Sequence, residues 1–229
     1  VITINNIKTE TSYTVTATAT IGSCSTTTEK SVSLTVLQPT VTLSAGMADK
    51  TICQGSAVTM APHIQSGYHG TLSYAWKPAA GLNSTTDALV GASPSTTTEY
   101  TLIVTATEGP CSFNAYDTVK VNVNSPAVAL GEIETNATNN TICKNGSVTL
   151  TVAPSGTPNG TLFYKWSDGE SGAEKTSITV TPDANTTYYV TATATIGECT
   201  SAEEVKSVTI TVNTPTVTVN EIDDPTICA

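Results

Sequence analysis

Apolar and polar residues alternate with a period of two along most of this chain. Tyr13, Val15, Ala17, Ala19 and Ile21 fall on one parity, and Thr14, Thr16, Thr18 and Thr20 fall on the other. Successive side chains of an extended strand point to opposite faces, so the pattern predicts a half-buried strand. Ile21-Gly22-Ser23-Cys24 predicts a hairpin turn, and Val32, Leu34 and Val36 give the returning strand an apolar face of its own. Strands of roughly five to eight residues, separated by turn clusters, recur to the end of the chain with no helical period between them. That combination predicts an all-β sandwich architecture.

The alternation is punctuated by a repeat. Thr51-Ile52-Cys53, Trp76, Tyr100, Cys111 and a Val-rich strand at 119–123 return as Thr141-Ile142-Cys143, Trp166, Tyr188, Cys199 and a strand at 207–212, with 23 residues from Cys to Trp in both copies. Pro39, Pro126 and Pro215 each open a unit, a place where a strand needs no amide donor. The expected domains are therefore the last part of an incomplete repeat at 1–38, whole repeats at 39–125 and 126–214, and the opening of a further repeat at 215–229. Beginning and ending inside a unit, the sequence reads as a window on a longer polypeptide. Within each unit Leu72, Tyr74 and Trp76, or Leu162, Tyr164 and Trp166, share one face; Trp76, Trp166, Tyr13, Tyr100 and Tyr188 are expected in the core.

Composition narrows the function classes. Thr accounts for 47 of the 229 residues, which builds a solvated strand face without charge. With 19 acidic residues against nine Lys, no Arg and a net charge of −10, the chain repels a phosphate backbone, and nucleic acid is not an expected partner. The sequence contains no apolar run of 18 or more residues, so no membrane span is expected in this segment.

Candidate chemistry is thin. The two histidines, His63 and His69, flank Tyr68 in one loop of one repeat, and the corresponding Ser155 to Asn159 holds none. A site common to the repeats therefore lacks His, a Ser-His-Asp triad cannot be assembled, and no enzyme activity is expected. Acidic residues near unit boundaries, Glu132 with Glu134 and Glu221 with Asp223 and Asp224, read as solvated loop acids, with calcium at the junctions as the alternative; Asp49 beside Lys50 gives the first junction no such cluster. No pair of cysteines has the two-residue spacing of a zinc knuckle, and no other cofactor is implied. Asn83, Asn136, Asn139, Asn145, Asn159 and Asn185 open Asn-x-Ser/Thr triplets, which abundant Thr produces by chance.

The set Thr-Ile-Cys before a Gly-Ser turn, Tyr-x-Trp, Thr-Thr-x-Tyr, Gly-x-Cys, a Val-rich strand and Pro resembles the immunoglobulin-like and PKD-like repeat arrays of very large Bacteroidota surface proteins, gliding-motility adhesins among them. The resemblance implies tandem immunoglobulin-like sandwiches arranged head to tail, type IX secretion and display at the cell surface. Partners would then be neighbouring repeats, with surface glycans or lateral self-association into filaments beyond them. It also implies that Asp117-Thr118-Val119 is similar to a Bacteroidota O-glycosylation motif, making Thr118 a candidate acceptor. The leading functional expectation is a structural rod used in adhesion or gliding. The alternatives are a carbohydrate-binding array using aromatics such as Tyr68, or a spacer beside a secreted hydrolase.

Six cysteines in an exported, Thr-rich chain point to disulfides. Economy pairs Cys53 with Cys111 and Cys143 with Cys199, leaving Cys24 and Cys228 for partners beyond the segment. Sandwich topology objects, because the two members of each such pair lie at opposite ends of a unit, and it offers Cys53 with Cys199 instead. Both pairings, and free thiols, stay open on sequence alone.

Overall fold

The computed structural model describes residues 2–5, 7–44 and 46–220 of the chain. It falls into two compact units, Val1–Thr51 with Gly55–Val123, and Ile52–Gln54 with Asn124–Ala229.

The first unit begins with a two-stranded ribbon, β1 (Thr11–Ile21) and β2 (Cys24–Leu34), in register from Thr11 opposite Leu34 to Ile21 opposite Cys24. Gly22 makes the turn with φ of 60°, a conformation that costs glycine nothing. The two strands pair only with each other. This corrects the expectation that Tyr13 is core: it is half-buried, and Val15, Ile21 and Val32 are exposed, because no second sheet closes over the apolar face among the described residues.

The rest of this unit is a sandwich. Strands β3 (Lys50–Cys53), β4 (Val58–Met60), β5 (Thr71–Lys77), β6 (Val90–Ala92), β7 (Thr98–Glu108) and β8 (Cys111–Asn124) form a four-stranded sheet ordered β3-β8-β7-β5 and a β4-β6 pair. Alternate residues of β7 and β8, namely Tyr100, Leu102, Val104, Ala106, Val119 and Val121, are buried together with Trp76, Met60, Val90 and Ala92. Two of these side chains carry a polar group into the core and satisfy it there: the Trp76 indole donates to the Asp87 carbonyl at 3.0 Å, and the Tyr100 hydroxyl donates to the Ala80 carbonyl at 2.7 Å.

In the second unit the strands are β9 (Glu134–Thr135), β10 (Thr141–Cys143), β11 (Val148–Thr151), β12 (Thr161–Trp166), β13 (Ser171–Gly172), β14 (Ser177–Val180), β15 (Thr186–Ile196), β16 (Cys199–Thr200) and β17 (Glu204–Asn213). One sheet runs β10-β17-β15-β12-β13 with β16 beside β15, and the other runs β14-β11-β9. Between them lies one core built on Leu150, Trp166, Val190, Ala192, Val208 and Ile210, with Leu162 and Tyr188 packed at its margin. The Trp166 indole donates to the Lys175 carbonyl at 2.8 Å, as Trp76 does to Asp87. Tyr100 and Tyr188 occupy the same register, opposite Val119 and Val208, but Tyr188 is only half-buried.

The strands are longer than the alternation alone suggests. Four of them, β1, β2, β7 and β15, run eleven residues and β8 runs fourteen; β1–β2 and β7–β8 keep one register up to their glycine turns, whereas β15 shifts register by one residue between β17 and β16.

Candidate functional site

A hydrogen-bonded clasp in the second unit surrounds a disulfide. Its first half is the hairpin tip Ile196-Gly197-Glu198-Cys199, in which Ile196 pairs with Cys199 and Gly197 turns with φ of 58°. Its second half is the tripeptide Ile52–Gln54, which ends β3 and groups with this unit although it belongs in sequence to the preceding repeat. Cys53 is bonded to Cys199, with their Cα atoms 5.4 Å apart and 146 residues between them in sequence. Asn124 fastens both halves: its carbonyl accepts from the Gln54 amide at 2.9 Å and its Nδ2 donates to the Ile196 carbonyl at 3.4 Å. Ser201 completes the hairpin side, exchanging hydrogen bonds with the backbone of Ala194.

Economical pairing is thereby corrected. Cys143 lies opposite Asn213, the last residue of β17, in a parallel pair, whereas Cys199 precedes the first residue, Glu204. Roughly 30 Å of strand separates those ends, and a bridge requires Cα atoms within about 7 Å. The same holds for Cys53, placed beside Asn124 at the end of β8, and Cys111 at its start, about 40 Å away. Among the described residues Cys24, Cys111 and Cys143 are free thiols; Cys228 lies outside the described residues.

A second candidate is an apolar pocket of about 240 Å³ in the first unit, lined by Met47, Met60, Leu89 and Val119 with Lys50 and His63 at its edge. His63 and His69 are exposed, and their backbones explain where they stand. The His63 carbonyl accepts from the amide and hydroxyl of Ser44, and His69 exchanges backbone hydrogen bonds with Thr40. Asn159 makes the same exchange with Ala127 in the second unit, so this position serves the backbone in both repeats whatever its side chain. Tyr68, 49% exposed, stands beside His69.

The remaining candidates have mostly structural partners. Glu132 is paired with Lys206 at 2.9 Å, and that hydrogen bond, followed by the carboxylate's charge, raises the Lys206 pKa. No group of three metal-ligating side chains converges among the described residues; Glu221, Asp223 and Asp224 lie outside them. Thr118 is exposed on β8, while Asp117 is engaged, one oxygen accepting from the Thr118 amide at 2.8 Å and the other from the Met47 amide at 2.9 Å. Burial raises the phenol pKa values of Tyr100, Tyr164 and Tyr188, with Asp168 adding to the effect at Tyr188.

Several asparagines that open Asn-x-Ser/Thr triplets do work the triplet does not signal. The side-chain oxygens of Asn83, Asn136 and Asn185 accept from the amides of Gly91, Thr149 and Val212, and the Asn159 amide donates to the Ser125 carbonyl. They close loops onto strands, a use of Asn that local hydrogen bonding favours. Asn124, central to the clasp, carried no sequence signal beyond its place two residues before Pro126.

Residues 132–214 match the family described as Ig-like domain, CHU_C associated. Among solved structures, the chain is similar to the N-terminal eight immunoglobulin domains of Down syndrome cell adhesion molecule, at 15% identity and TM-score 0.47, covering 90% of this chain and 28% of that one. It is also similar to a calcium-stabilised adhesin with which an Antarctic bacterium binds ice, at 17% identity and TM-score 0.48, covering 90% of this chain and 58% of that one. Titin domains I67–I69 match at 11% identity and TM-score 0.45, over 78% of this chain and 68% of theirs. No curated protein matches the chain. The chain is all-β, built of tandem immunoglobulin-like sandwich repeats, and its residues 132–214 are similar to that Ig-like domain family.

Proposed function

We propose that this segment is a structural repeat array of an extracellular bacterial surface protein, holding an adhesive or motility function away from the cell. One observation carries the reading: what the two repeats share is scaffold. Trp76 and Trp166, Tyr100 and Tyr188, and Leu102 and Val190 keep one register in both, whereas the side chains of His63 and Tyr68 are not repeated in the corresponding loop at Ser155 to Asn159. A ligand site used throughout an array would repeat; here the buried side chains repeat. The Cys53–Cys199 bridge suits a part under tension, because it withholds the 146-residue separation from extension.

Antibodies against the segment are expected to label intact cells of the source organism, and labelling only after permeabilisation would exclude surface display. Pulling on the two chain ends gives the mechanical test. Reductant is expected to add roughly 500 Å to the fully extended chain, at about 3.5 Å per residue. Equal lengths with and without reductant would contradict the mechanical role of the bridge.

Exposed aromatics support a second reading, a glycan-binding array. On the outer face of the second unit's larger sheet, Phe163 and Tyr189 stand exposed among threonines. Retention on a glycan panel that is lost in the Phe163→Ala and Tyr189→Ala variants would favour this reading over a plain spacer.

A further inference from the structure

The bridged pair Cys53–Cys199 has unbridged counterparts on both sides, Cys143 on the strand-end side and Cys111 and Cys24 on the hairpin side. On the strand-end side, the Gln54 amide donates to the Asn124 carbonyl beside Cys53 at 2.9 Å, and the Lys144 amide donates to the Asn213 carbonyl beside Cys143 at 3.0 Å. The cavity at Cys53 is lined by Asn124, Ser125 and Pro126, and the cavity at Cys143 by Asn213, Thr214 and Pro215. The difference is that the first also contains Cys199, Thr200, Ser201 and Ala202, contributed by the hairpin, while the second has no hairpin among the described residues.

On the hairpin side, Cys199 closes a two-residue turn opposite Ile196, Cys111 closes one opposite Glu108, and Cys24 closes one opposite Ile21. The turn glycines Gly197, Gly109 and Gly22 share φ values of 58°, 55° and 60°. The element that brings the partner cysteine is also in place at Cys111. Leu37 stands two residues before Pro39, as Asn124 stands two before Pro126. A Cβ placed on Gly109 would lie 2.8 Å from Leu37, just as one placed on Gly197 would lie 3.7 Å from Asn124.

We propose that Cys143 and Cys111 are open halves of a staggered series of disulfides, in which the Thr-Ile-Cys cysteine of each repeat bonds the Gly-x-Cys cysteine of the next. Cys143 takes the hairpin cysteine of a following copy, and Cys111 takes the strand-end cysteine of a preceding one; Cys24 presents the same hairpin half. The partner is another copy of this repeat, recognised at Cys143 by the half-socket of Asn213, Thr214 and Pro215; beside the Cys111 hairpin the same three positions are Leu37, Gln38 and Pro39. No bond closes within a single repeat, so the bridges link the array into one covalent series parallel to the backbone.

Closing a bridge oxidises two thiols by two electrons, and the oxidant is a disulfide compound. One protein thiolate attacks the external disulfide and expels a thiolate, leaving a mixed disulfide. The second protein thiolate then attacks the protein sulfur and expels the other external thiolate, so one external disulfide becomes two thiols as one protein disulfide forms.

The test uses the 229-residue chain carrying Cys228→Ser, kept concentrated in a reduced and oxidised glutathione buffer, alkylated, and mapped by mass spectrometry without reduction. The expected result is a Cys53–Cys199 peptide within the chain, together with Cys143–Cys111 and Cys143–Cys24 peptides joining different chains into a ladder on a non-reducing gel. Adding Cys143→Ser is expected to abolish the ladder while the Cys53–Cys199 peptide persists, showing that the variant is folded. Bridges that join Cys143 to Cys143 or Cys111 to Cys111 as often as Cys143 to Cys111 would overturn the proposal. So would glutathione adducts alone, or a Cys53–Cys111 or Cys143–Cys199 peptide within one chain.

Discussion

Residues 13–22 and 188–197 are nearly the same peptide, Tyr-Thr-Val-Thr-Ala-Thr-Ala-Thr-Ile-Gly against Tyr-Tyr-Val-Thr-Ala-Thr-Ala-Thr-Ile-Gly, yet their environments differ completely. Val15 is 58% exposed and Val190 is fully buried. Both peptides form a strand, both turn at a glycine, and both pair back on themselves. Strand and turn are thus local properties of the alternating Thr pattern and the Gly turn. Burial is a tertiary property, supplied by Leu150, Trp166 and Ile178 for the second copy and, among the described residues, by nothing equivalent for the first. The period-two pattern tells which face can be buried, not whether anything covers it.

The largest effect that sharpens this contrast is expected from Trp166→Ala, which should destabilise the second unit by about 3–5 kcal/mol, as truncating a buried aromatic does. Denaturant unfolding followed at the two units separately would show it, and the β1–β2 ribbon should not respond. Next comes the matched pair Val190→Ala and Val15→Ala. The first is expected to cost about 2 kcal/mol through lost burial, and the second to stay within about 0.5 kcal/mol. Equal costs would mean that the β1–β2 ribbon has a partner sheet after all. A smaller loss, about 1 kcal/mol, is expected for Tyr100→Phe, which removes the hydrogen bond to the Ala80 carbonyl.

The smallest effect concerns pH. Burial raises the phenol pKa values of Tyr100 and Tyr164 above the ordinary 10.0, so the folded units hold those protons after the unfolded chain has released them. The resulting stability is complete below the unfolded value and is lost as pH rises through the folded values. Stability of both sandwiches should therefore fall in the alkaline range above about pH 10, read by denaturant midpoint against pH.

Much of this was legible in the residues. Alternation located the long strands, the 23-residue Cys-to-Trp spacing located the repeats, and Trp76 and Trp166 could be placed in the core because each is followed and preceded by residues of the right parity. The exposure of Tyr13 was not legible, since its peptide is that of a buried copy. Sequence leaves the disulfide open because spacing treats each repeat as self-contained, whereas parallel pairing of Thr141–Cys143 with Thr211–Asn213 sends the strand-end cysteine to the far end of the sandwich. Nor is Asn124 distinguishable in sequence from other polar residues near strand ends, because its role depends on what the hairpin at Ile196 brings to it.

The claim that these repeats are scaffolds, with burial created by the sandwich and not by the peptide, is tested most directly by native-state hydrogen exchange on the two near-identical stretches of one molecule. Amides of 188–196 are expected to exchange only with unfolding of the second sandwich, and those of 13–21 by local opening of the ribbon, orders of magnitude faster under the same conditions. Equal protection of the two stretches would contradict it.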